Sequence, residues 1–441
     1  MSDSMMKRRT FLKTFSQLAA MPLVGFPSLS KGLIDGGYAG PLLLQIQAEG
    51  GWDVTSYVDP KVNQPGEKVI TNWSKSDEPG IAGGISFAPF ANNTEFFQRH
   101  HKKMLVINGI DMQTNSHSTG VLHNWSGRNA EGFPGLTALF SAHHSPEAAM
   151  PYVNFGGFGA TQNVVRFTRL QDDPEQLSRV LEPNLSGFHT PNQYNDYDGP
   201  VYFRDTEDLA LIDRFRQERI KRLRNSGSQM ARQVNNLNAY SAAIRGRDSL
   251  AEFAPYLPSG DAVIQPVEGL QNLKGQVQLV SAAFKAGVSS AADVHLNGFD
   301  THDDHDQMHR VQLSYLNESI DLVWQLAEEG GYADRLTVVV GSDFSRTPHY
   351  NEQDGKDHWP IGSVIVMQSD PSWGDRTLGK TDEGQNALPI DPQRLVEDEA
   401  TGSVIYPKHV HEALRGLLGL SGSALEQRFA FNNTETFNFF A

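Results

Sequence analysis

The sequence predicts an α/β fold built around a mainly parallel β-sheet. Short apolar runs of strand length alternate along the chain with longer segments that have the period of an α-helix. Polar clusters follow directly after several strand-like runs, which is where open α/β sheets place their functional sites. A composition of 39% hydrophobic and 20% charged residues over 441 positions is typical of a folded globular protein.

Six runs have the length and composition of buried strands. The later ones, such as LTVVV and SVIVM, are rich in the β-branched residues that suit a pleated surface. The six runs cover residues 41–48, 103–110, 152–155, 291–297, 336–340 and 363–367.

Four segments are predicted to be helical, and residues 304–329 have the clearest pattern. Apolar side chains recur there at spacings of three and four, as one buried helix face requires. These are Val311, Leu313, Leu316, Ile320, Val323, Trp324 and Ala327. The other candidates cover residues 205–247, 270–286 and 408–418.

The chain is predicted to consist of one main domain, residues 38–425, with an insertion or cap at residues 157–259. The inserted segment is richer in Arg, Gln and Asn than its surroundings and has a mostly helical pattern. Pro255, Pro258 and Gly260 mark the return to the main domain.

The N-terminus resembles a twin-arginine export signal. Arg8 and Arg9 lie in MMKRRTFLK and precede a modestly apolar stretch at residues 18–26. We therefore expect residues 1–30 to be a signal peptide that the twin-arginine translocase recognises. The mature protein is expected to be periplasmic or secreted. Proteins exported by this route are typically folded beforehand, which suits a protein that takes up its metal in the cytoplasm.

The composition excludes several classes of function. A formal net charge of -15 and a pI near 5.4 argue against nucleic-acid binding and against docking on an anionic membrane surface. After the N-terminal signal, no segment has the ~20 apolar residues needed to span a bilayer. The absence of Cys excludes disulfides, thiolate metal sites and cysteine nucleophiles.

The segment GFDTHDDHDQMH, which starts at residue 298, predicts a metal site. Asp300 and His302 supply oxygen and nitrogen donors of the kinds that suit zinc, manganese or iron. The alternative is a metal-free helix N-terminus, where Asp303, Asp304 and Asp306 would lie favourably against the positive end of the helix dipole. The helix alternative does not account for Asp300 and His302, which precede it.

Polar residues follow four strand-like runs in the same way. Asp53 comes after the first run, and Ser116 and His117 follow the second. Asp300 follows the run that ends near residue 297, and Asp343 follows LTVVVGS. Because the carboxyl ends of parallel strands lie along one edge of a sheet, these residues are expected to converge there.

Five short motifs, in this order, resemble the domain-of-unknown-function family 1501. This family of bacterial proteins is similar to the alkaline phosphatase and sulfatase superfamily. The resemblance covers about residues 42–420 and implies a three-layer α/β/α sandwich with an alkaline-phosphatase-like, mainly parallel sheet. The motifs are GGWD at 50–53, SH at 116–117, GFDTH at 298–302, SDFSRTP at 342–348 and KDHW at 356–359.

The resemblance also implies metal ligands. Asp300, His302 and His358 would hold one divalent metal, such as zinc or manganese, while Asp53 and Asp343 would contribute to a second site. The spacing between Asp300 and His302 is shorter than the phosphatase Asp-x-x-x-His, which leaves His305 as an alternative partner. Superfamily phosphatases usually have His directly after the acid at position 343, whereas this chain has Phe344.

Three further residues are catalytic candidates. Ser116 is a candidate nucleophile, with a helix N-cap or an oxyanion donor as alternatives. His117 is a candidate for contacting the ligand. Arg346 is expected either to clamp an anionic group bidentately or to form a structural bridge to an acid.

Two functions are consistent with these residues. The first is an exported metal-dependent hydrolase of phosphate or sulfate esters that acts on an anionic small molecule or polymer. The second is a non-catalytic secreted binding or assembly protein that keeps the fold. A two-metal hydrolase requires Asp53 and Asp343 to approach the Asp300 site, whereas Phe344 fills the place of the second ion in a binding protein.

Overall fold

A computed structural model describes residues 37–441 except residues 157 and 433 and a set of positions in the predicted insertion. These positions are 171–176, 178–180, 182–204, 227–229, 231, 235, 239, 242–243, 245–249 and 251–252. The predicted export signal at residues 1–30 lies outside the described residues.

The described residues form strands and helices that alternate along most of the chain. The strands are β1 (Leu42–Ala48), β2 (Gly80–Ala82), β3 (Ile85–Phe87), β4 (Met104–Asp111), β5 (Tyr152–Asn154), β6 (Phe167–Arg169), β7 (Ala291–Leu296), β8 (Leu336–Ser342), β9 (Ser345–Arg346), β10 (His358–Trp359), β11 (Ile361–Met367) and β12 (Arg376–Leu378). The α-helices are α1 (Asn93–His100), α2 (His117–Ser126), α3 (Leu136–His144), α4 (Thr206–Arg224), α5 (Leu273–Lys285), α6 (His305–Glu329), α7 (Pro407–Leu417) and α8 (Ala424–Arg428).

Eight of these strands form the central sheet, in the order β12-β4-β11-β8-β1-β7-β5-β6. All pairings are parallel except those of β11, which runs antiparallel to both β4 and β8. The predicted α/β fold with a mainly parallel sheet is therefore confirmed. The reversed direction of β11 matters for the site, because the start of β11 lies at the edge where the other strands end.

The side chains of β1 show how the sheet is covered on both faces. Leu42, Leu44 and Ile46 are buried in a core shared with α5 and α6, whereas Leu43 points to a second core shared with α2, α3 and α7. Fully burying one such side chain contributes about 1.5–3 kcal/mol. The strand is buried on both faces, as is usual for a parallel sheet covered by helices on each side.

The long helix α6 confirms the strongest helical pattern in the sequence. Leu313, Leu316, Ile320 and Val323 are buried against the sheet, as their spacing predicts. Val311 is the exception, since it is 48% exposed and lies off the buried face. Asp304 occupies the N-cap position but its side chain makes no capping hydrogen bond, so capping does not explain the cluster of acids here.

Several described elements lie close to the predicted boundaries of the main domain and of the insertion. Strand β6 lies inside the predicted insertion, yet it pairs with β5 as the edge strand of the sheet. Helix α4 ends at Arg224, although the sequence predicted a helix as far as residue 247. The fold also extends past the predicted boundary at residue 425, because Phe437 and Phe439 are buried in the second core.

None of the helices in the described part of the chain is long and apolar enough to cross a membrane.

Candidate metal centre

Four segments of the chain meet at the carboxyl edge of the parallel strands. His117 is the first residue of α2, just after β4, and Asp300 and His302 follow β7. Asp343 follows β8 directly. His358 reaches the same edge by another route, because it lies in β10 immediately before the antiparallel strand β11 begins.

Four of these side chains form what we call the four-residue centre: His117, Asp300, His302 and His358. His302 Nε2 lies 3.0 Å from Asp300 Oδ1 and 3.1 Å from His358 Nε2. His358 Nε2 lies 3.4 Å from Asp300 Oδ1, so the three predicted ligands are in mutual contact. His117 Nε2 approaches from the other side, 3.1 Å from His358 Nε2 and 3.5 Å from Asp300 Oδ2.

The spacing of these donor atoms fits the coordination of a metal ion. Two ligands on adjacent corners of a tetrahedron lie about 3.4 Å apart when each bond to zinc is about 2.1 Å. The five contacts within the four-residue centre fall between 3.0 and 3.5 Å. The ligand atoms of His117, Asp300 and His358 all lie within 4.8 Å of one another.

Hydrogen bonds fix the orientation of each imidazole ring. The Nδ1 atom of His117 donates to the buried Asp343 carboxylate, and His302 Nδ1 donates to Asp357 Oδ1 at 2.9 Å. His358 Nδ1 donates to the carbonyl oxygen of Asn115 at 2.8 Å. Since carboxylate and carbonyl oxygens only accept hydrogen bonds, each Nδ1 carries a proton, and each Nε2 is left to face the other side chains of the centre. Three imidazole Nε2 atoms and the Asp300 carboxylate therefore face one another, and the donor atoms of His117, Asp300 and His358 form a group that could hold a metal ion.

Asp343 lies behind His117. Its carboxylate is fully buried and accepts hydrogen bonds from Gly50 N at 3.1 Å, Gly51 N at 2.8 Å and Ser342 Oγ at 2.9 Å. Gly50 and Gly51 have φ angles of +115° and +82°, a conformation that favours glycine and aims both amides at Asp343. The hydrogen bond from His117 raises the pKa of that imidazole, and the charge of Asp343 adds to the effect, although burial opposes it.

Phe344 occupies the space next to the centre. Its ring centroid lies 4.7 Å from that of His117 and 4.8 Å from that of His358. Position 344 is where the superfamily pattern implies a further histidine ligand. The aromatic ring packs on two imidazoles instead and offers no donor atom to a second ion.

Asp53, which was predicted to be a metal ligand, lies in a separate buried ion pair. Its Oδ2 accepts hydrogen bonds from Lys356 Nζ at 2.8 Å and from His305 Nε2 at 3.0 Å. Its Oδ1 accepts from Thr55 N at 2.9 Å. Burial raises the pKa of Asp53, but the Lys356 ammonium and the His305 hydrogen bond outweigh it and hold this pKa well below its usual range. A lysine therefore occupies the side of Asp53 at which a metal was expected.

His305 and His309 belong to this buried ion pair and not to the four-residue centre. His309 Nε2 accepts a hydrogen bond from Asp53 N at 2.8 Å, and both imidazoles lie near Thr301 Oγ1. Burial lowers the pKa of both histidines. His305, the alternative partner of Asp300 in the sequence, is thus a structural residue beneath the centre.

Arg346 forms the structural bridge that was one of its two predicted roles. Its Nε donates to Gly51 O at 3.0 Å and its Nη1 to Lys356 O at 3.1 Å. Its Nη2 donates to Gly50 O and, at 2.6 Å, to Asp300 Oδ1. The side chain is fully buried, so the guanidinium holds three loops together and does not face a ligand.

Ser116 precedes α2 at the N-cap position and is exposed. Its side chain makes no capping bond, and its Oγ lies 3.4 Å from Ser118 Oγ. These contacts give the hydroxyl no general base. Sequence reasoning missed the roles of Asn115 and Asp357, although Asp357 stands beside His358 in the KDHW motif.

The chain belongs to the family described as "Protein of unknown function (DUF1501)", whose profile matches residues 42–397. None of the curated proteins matches the sequence. The fold resembles that of Ps i-CgsB solved in complex with k-i-k-neocarrahexaose, at 8% identity and a TM-score of 0.40, over 91% of this chain and 76% of the other. It also resembles a putative sulfatase from Bacteroides thetaiotaomicron (12% identity, TM-score 0.34, 90% and 76% covered). A third similar structure is the phosphonate monoester hydrolase of Agrobacterium radiobacter, at 13% identity and a TM-score of 0.34, over 86% of this chain and 74% of the other.

Proposed function

We propose that this member of the DUF1501 family is an exported hydrolase that depends on a single divalent metal ion. The ion would be held by Asp300 and His358, with His117 and His302 on either side of them. The observation that carries the proposal is the convergence of three imidazole Nε2 atoms and the two oxygens of the Asp300 carboxylate, in contacts of 3.0–3.5 Å. Export rests on the twin-arginine pattern around Arg8 and Arg9.

The exposure of the centre supports a reactive role over a purely structural one. Structural metal sites usually have a full set of protein ligands, whereas catalytic sites keep a position open. The side chains of Asp300 and His302 are each 47% exposed, so the centre faces solvent. A bound divalent ion would supply Lewis acidity at this edge of the sheet.

The residues around the centre would prepare it for a metal. Asp343, Asp357 and the Asn115 carbonyl hold the rings with Nε2 inward, as partners of metal-bound histidines commonly do. Arg346 fixes Asp300 from the buried side. Each donor is therefore positioned before an ion arrives, which lowers the entropic cost of binding.

A single ion is favoured over two. A second ion beside the first would need Asp53 and Asp343 as ligands. Asp53 is paired with Lys356, Asp343 accepts hydrogen bonds from several donors of the protein, and Phe344 packs on His117 and His358 without offering a donor atom. The engagement of Asp53 and Asp343 by donors of the protein also favours the second candidate function, which is a secreted binding protein whose centre holds an ion without turnover.

Metal stoichiometry and turnover test the proposal together. We expect protein loaded with Zn²⁺ or Mn²⁺ to bind one ion per chain, as measured by elemental analysis and titration calorimetry. His358→Ala should abolish binding, whereas His349→Ala should not, because His349 is an imidazole of a neighbouring loop outside the centre. Binding that survives in His358→Ala would refute the metal centre.

The same proteins decide between the two candidate functions. The hydrolase predicts ester turnover by the loaded wild type and by His349→Ala, with none by His358→Ala. One bound ion without turnover of any ester, whether neutral or charged, would instead favour the binding protein.

A further inference from the structure

We infer that the four-residue centre takes an uncharged or cationic ligand and discriminates against phosphate and sulfate esters, with Asp357 as a specificity-determining residue. The inference rests on the proposed function, since it concerns the ligand of the same metal centre. It departs from the anionic substrate that the sequence suggested.

The basic side chains next to the centre are buried and paired with groups of the protein. Arg346 is fully buried and donates to three backbone carbonyls and to Asp300. Lys356 is fully buried as well, and its ammonium contacts Asp53 Oδ2 at 2.8 Å and Thr55 Oγ1 at 3.1 Å. Proteins usually recognise phosphate through exposed arginine forks or lysines. Arg346 and Lys356 are the cations that the described contacts bring to the site. Both are paired with groups inside the protein.

The charged groups that do face solvent at the centre are carboxylates. Asp357 is 58% exposed, and its carboxylate is held in place by His302 Nδ1 at 2.9 Å and Asn351 Nδ2 at 3.3 Å. Asp300 is exposed beside it. With Asp300, Asp343 and Asp357 ionised, Arg346 charged and one divalent ion bound, the centre has no net positive charge. A dianionic ester would meet the Asp357 carboxylate without a compensating cation.

One feature of the centre would favour an anion, namely the N-terminus of α2, whose dipole is positive at His117. A carboxylate already lies against this first turn. Asp343 accepts a hydrogen bond from the side chain of His117 and packs closely against Gly120 in this turn. The buried acid therefore opposes part of the dipole before any ligand binds.

The binding of inorganic phosphate to zinc-loaded protein tests the inference without depending on turnover. Asp357→Asn keeps an oxygen that can accept from His302 Nδ1 but removes the negative charge. From Coulomb's law at an effective dielectric constant near 20 and a separation of about 7 Å, the gain in phosphate affinity is about tenfold or more. Asp357→Lys should bind phosphate more tightly still.

The matched control is Asp354→Asn, which removes another exposed carboxylate from the same loop. Zinc stoichiometry is measured for every variant first, so that loss of the metal is not mistaken for a change in anion binding. A gain in Asp357→Asn that Asp354→Asn does not share supports the inference. Equal phosphate affinity in these two variants overturns it, as would faster turnover of p-nitrophenyl phosphate than of p-nitrophenyl acetate by the wild type.

Discussion

Replacing Asp343 with Asn should switch the tautomer of His117 and weaken metal binding. Asp343 Oδ1 accepts from Gly50 N, Gly51 N and Ser342 Oγ, so an asparagine would keep its carbonyl oxygen on that side. Its amide group would then replace Oδ2 and face His117 Nδ1. Because an amide N–H cannot accept a proton, His117 would have to carry its proton on Nε2, and it would lose the lone pair that points into the centre.

The expected size of the effect follows from the role of such partners in metal sites. Loss of an outer partner of a metal-bound histidine typically reduces metal affinity by about 10–100-fold. This corresponds to about 1.4–2.7 kcal/mol of binding free energy. We expect the upper part of this range, because Asp343 is fully buried and water cannot replace it.

The assay is zinc affinity by competition with a chelator, and Asp357→Asn is the matched control. Asp357 plays the same part for His302, but it is exposed, so water can take its place and the loss of affinity should stay below about threefold. Urea unfolding of each variant shows whether the fold is intact. Zinc affinity in Asp343→Asn within threefold of the wild type would show that the buried acid does not set the state of His117.

Three further predictions concern other parts of the molecule. Lys356→Met leaves the buried Asp53 carboxylate without its ammonium partner and should lower the free energy of unfolding by about 3–5 kcal/mol. The double variant with Asp53→Asn should recover part of this loss, as measured by urea unfolding. Burial raises the pKa of Asp293 to about 7, despite hydrogen bonds from Tyr152 and Thr137 that lower it. The stability linked to this acid is therefore present at low pH and lost as the pH rises towards 7. Asp293→Asn should raise the free energy of unfolding by up to about 4 kcal/mol at pH 8, and by progressively less towards pH 5. Changing Arg8 and Arg9 to Lys should leave an unprocessed precursor in the cytoplasm, and normal export of that variant would contradict the twin-arginine interpretation.

The sequence allowed the edge of the sheet to be predicted better than the contacts made there. Polar residues that follow parallel strands must converge, and His117 and Asp300, which follow β4 and β7, lie 3.5 Å apart. The direction of β11 could not be read from its apolar run, since such a run looks the same in either orientation. The antiparallel start of β11 is nevertheless what brings His358 to the centre.

The partner of each acid could not be predicted for a related reason. Asp53 and Lys356 are 303 positions apart in the chain, and the buried ion pair exists because two loops cross beneath the centre. The GGWD motif was interpreted through its acid, whereas the structure gives its two glycines a separate role as donors to Asp343. Residue types at a sheet edge thus indicate the chemistry available there, but the loops decide which carboxylate faces an ion.

The position of Phe344 bears on how the acids around the centre are neutralised. In a two-ion site, the second cation both binds the ligand and neutralises the acids around it. Here Phe344 packs on His117 and His358, and the acids are paired with cations of the protein itself, Asp53 with Lys356 and Asp300 with Arg346. A cation that neutralises a buried acid is no longer available to an anionic ligand. The proposals of a single ion and of an uncharged or cationic ligand therefore rest on the same feature, the pairing of Lys356 and Arg346 with acids of the protein.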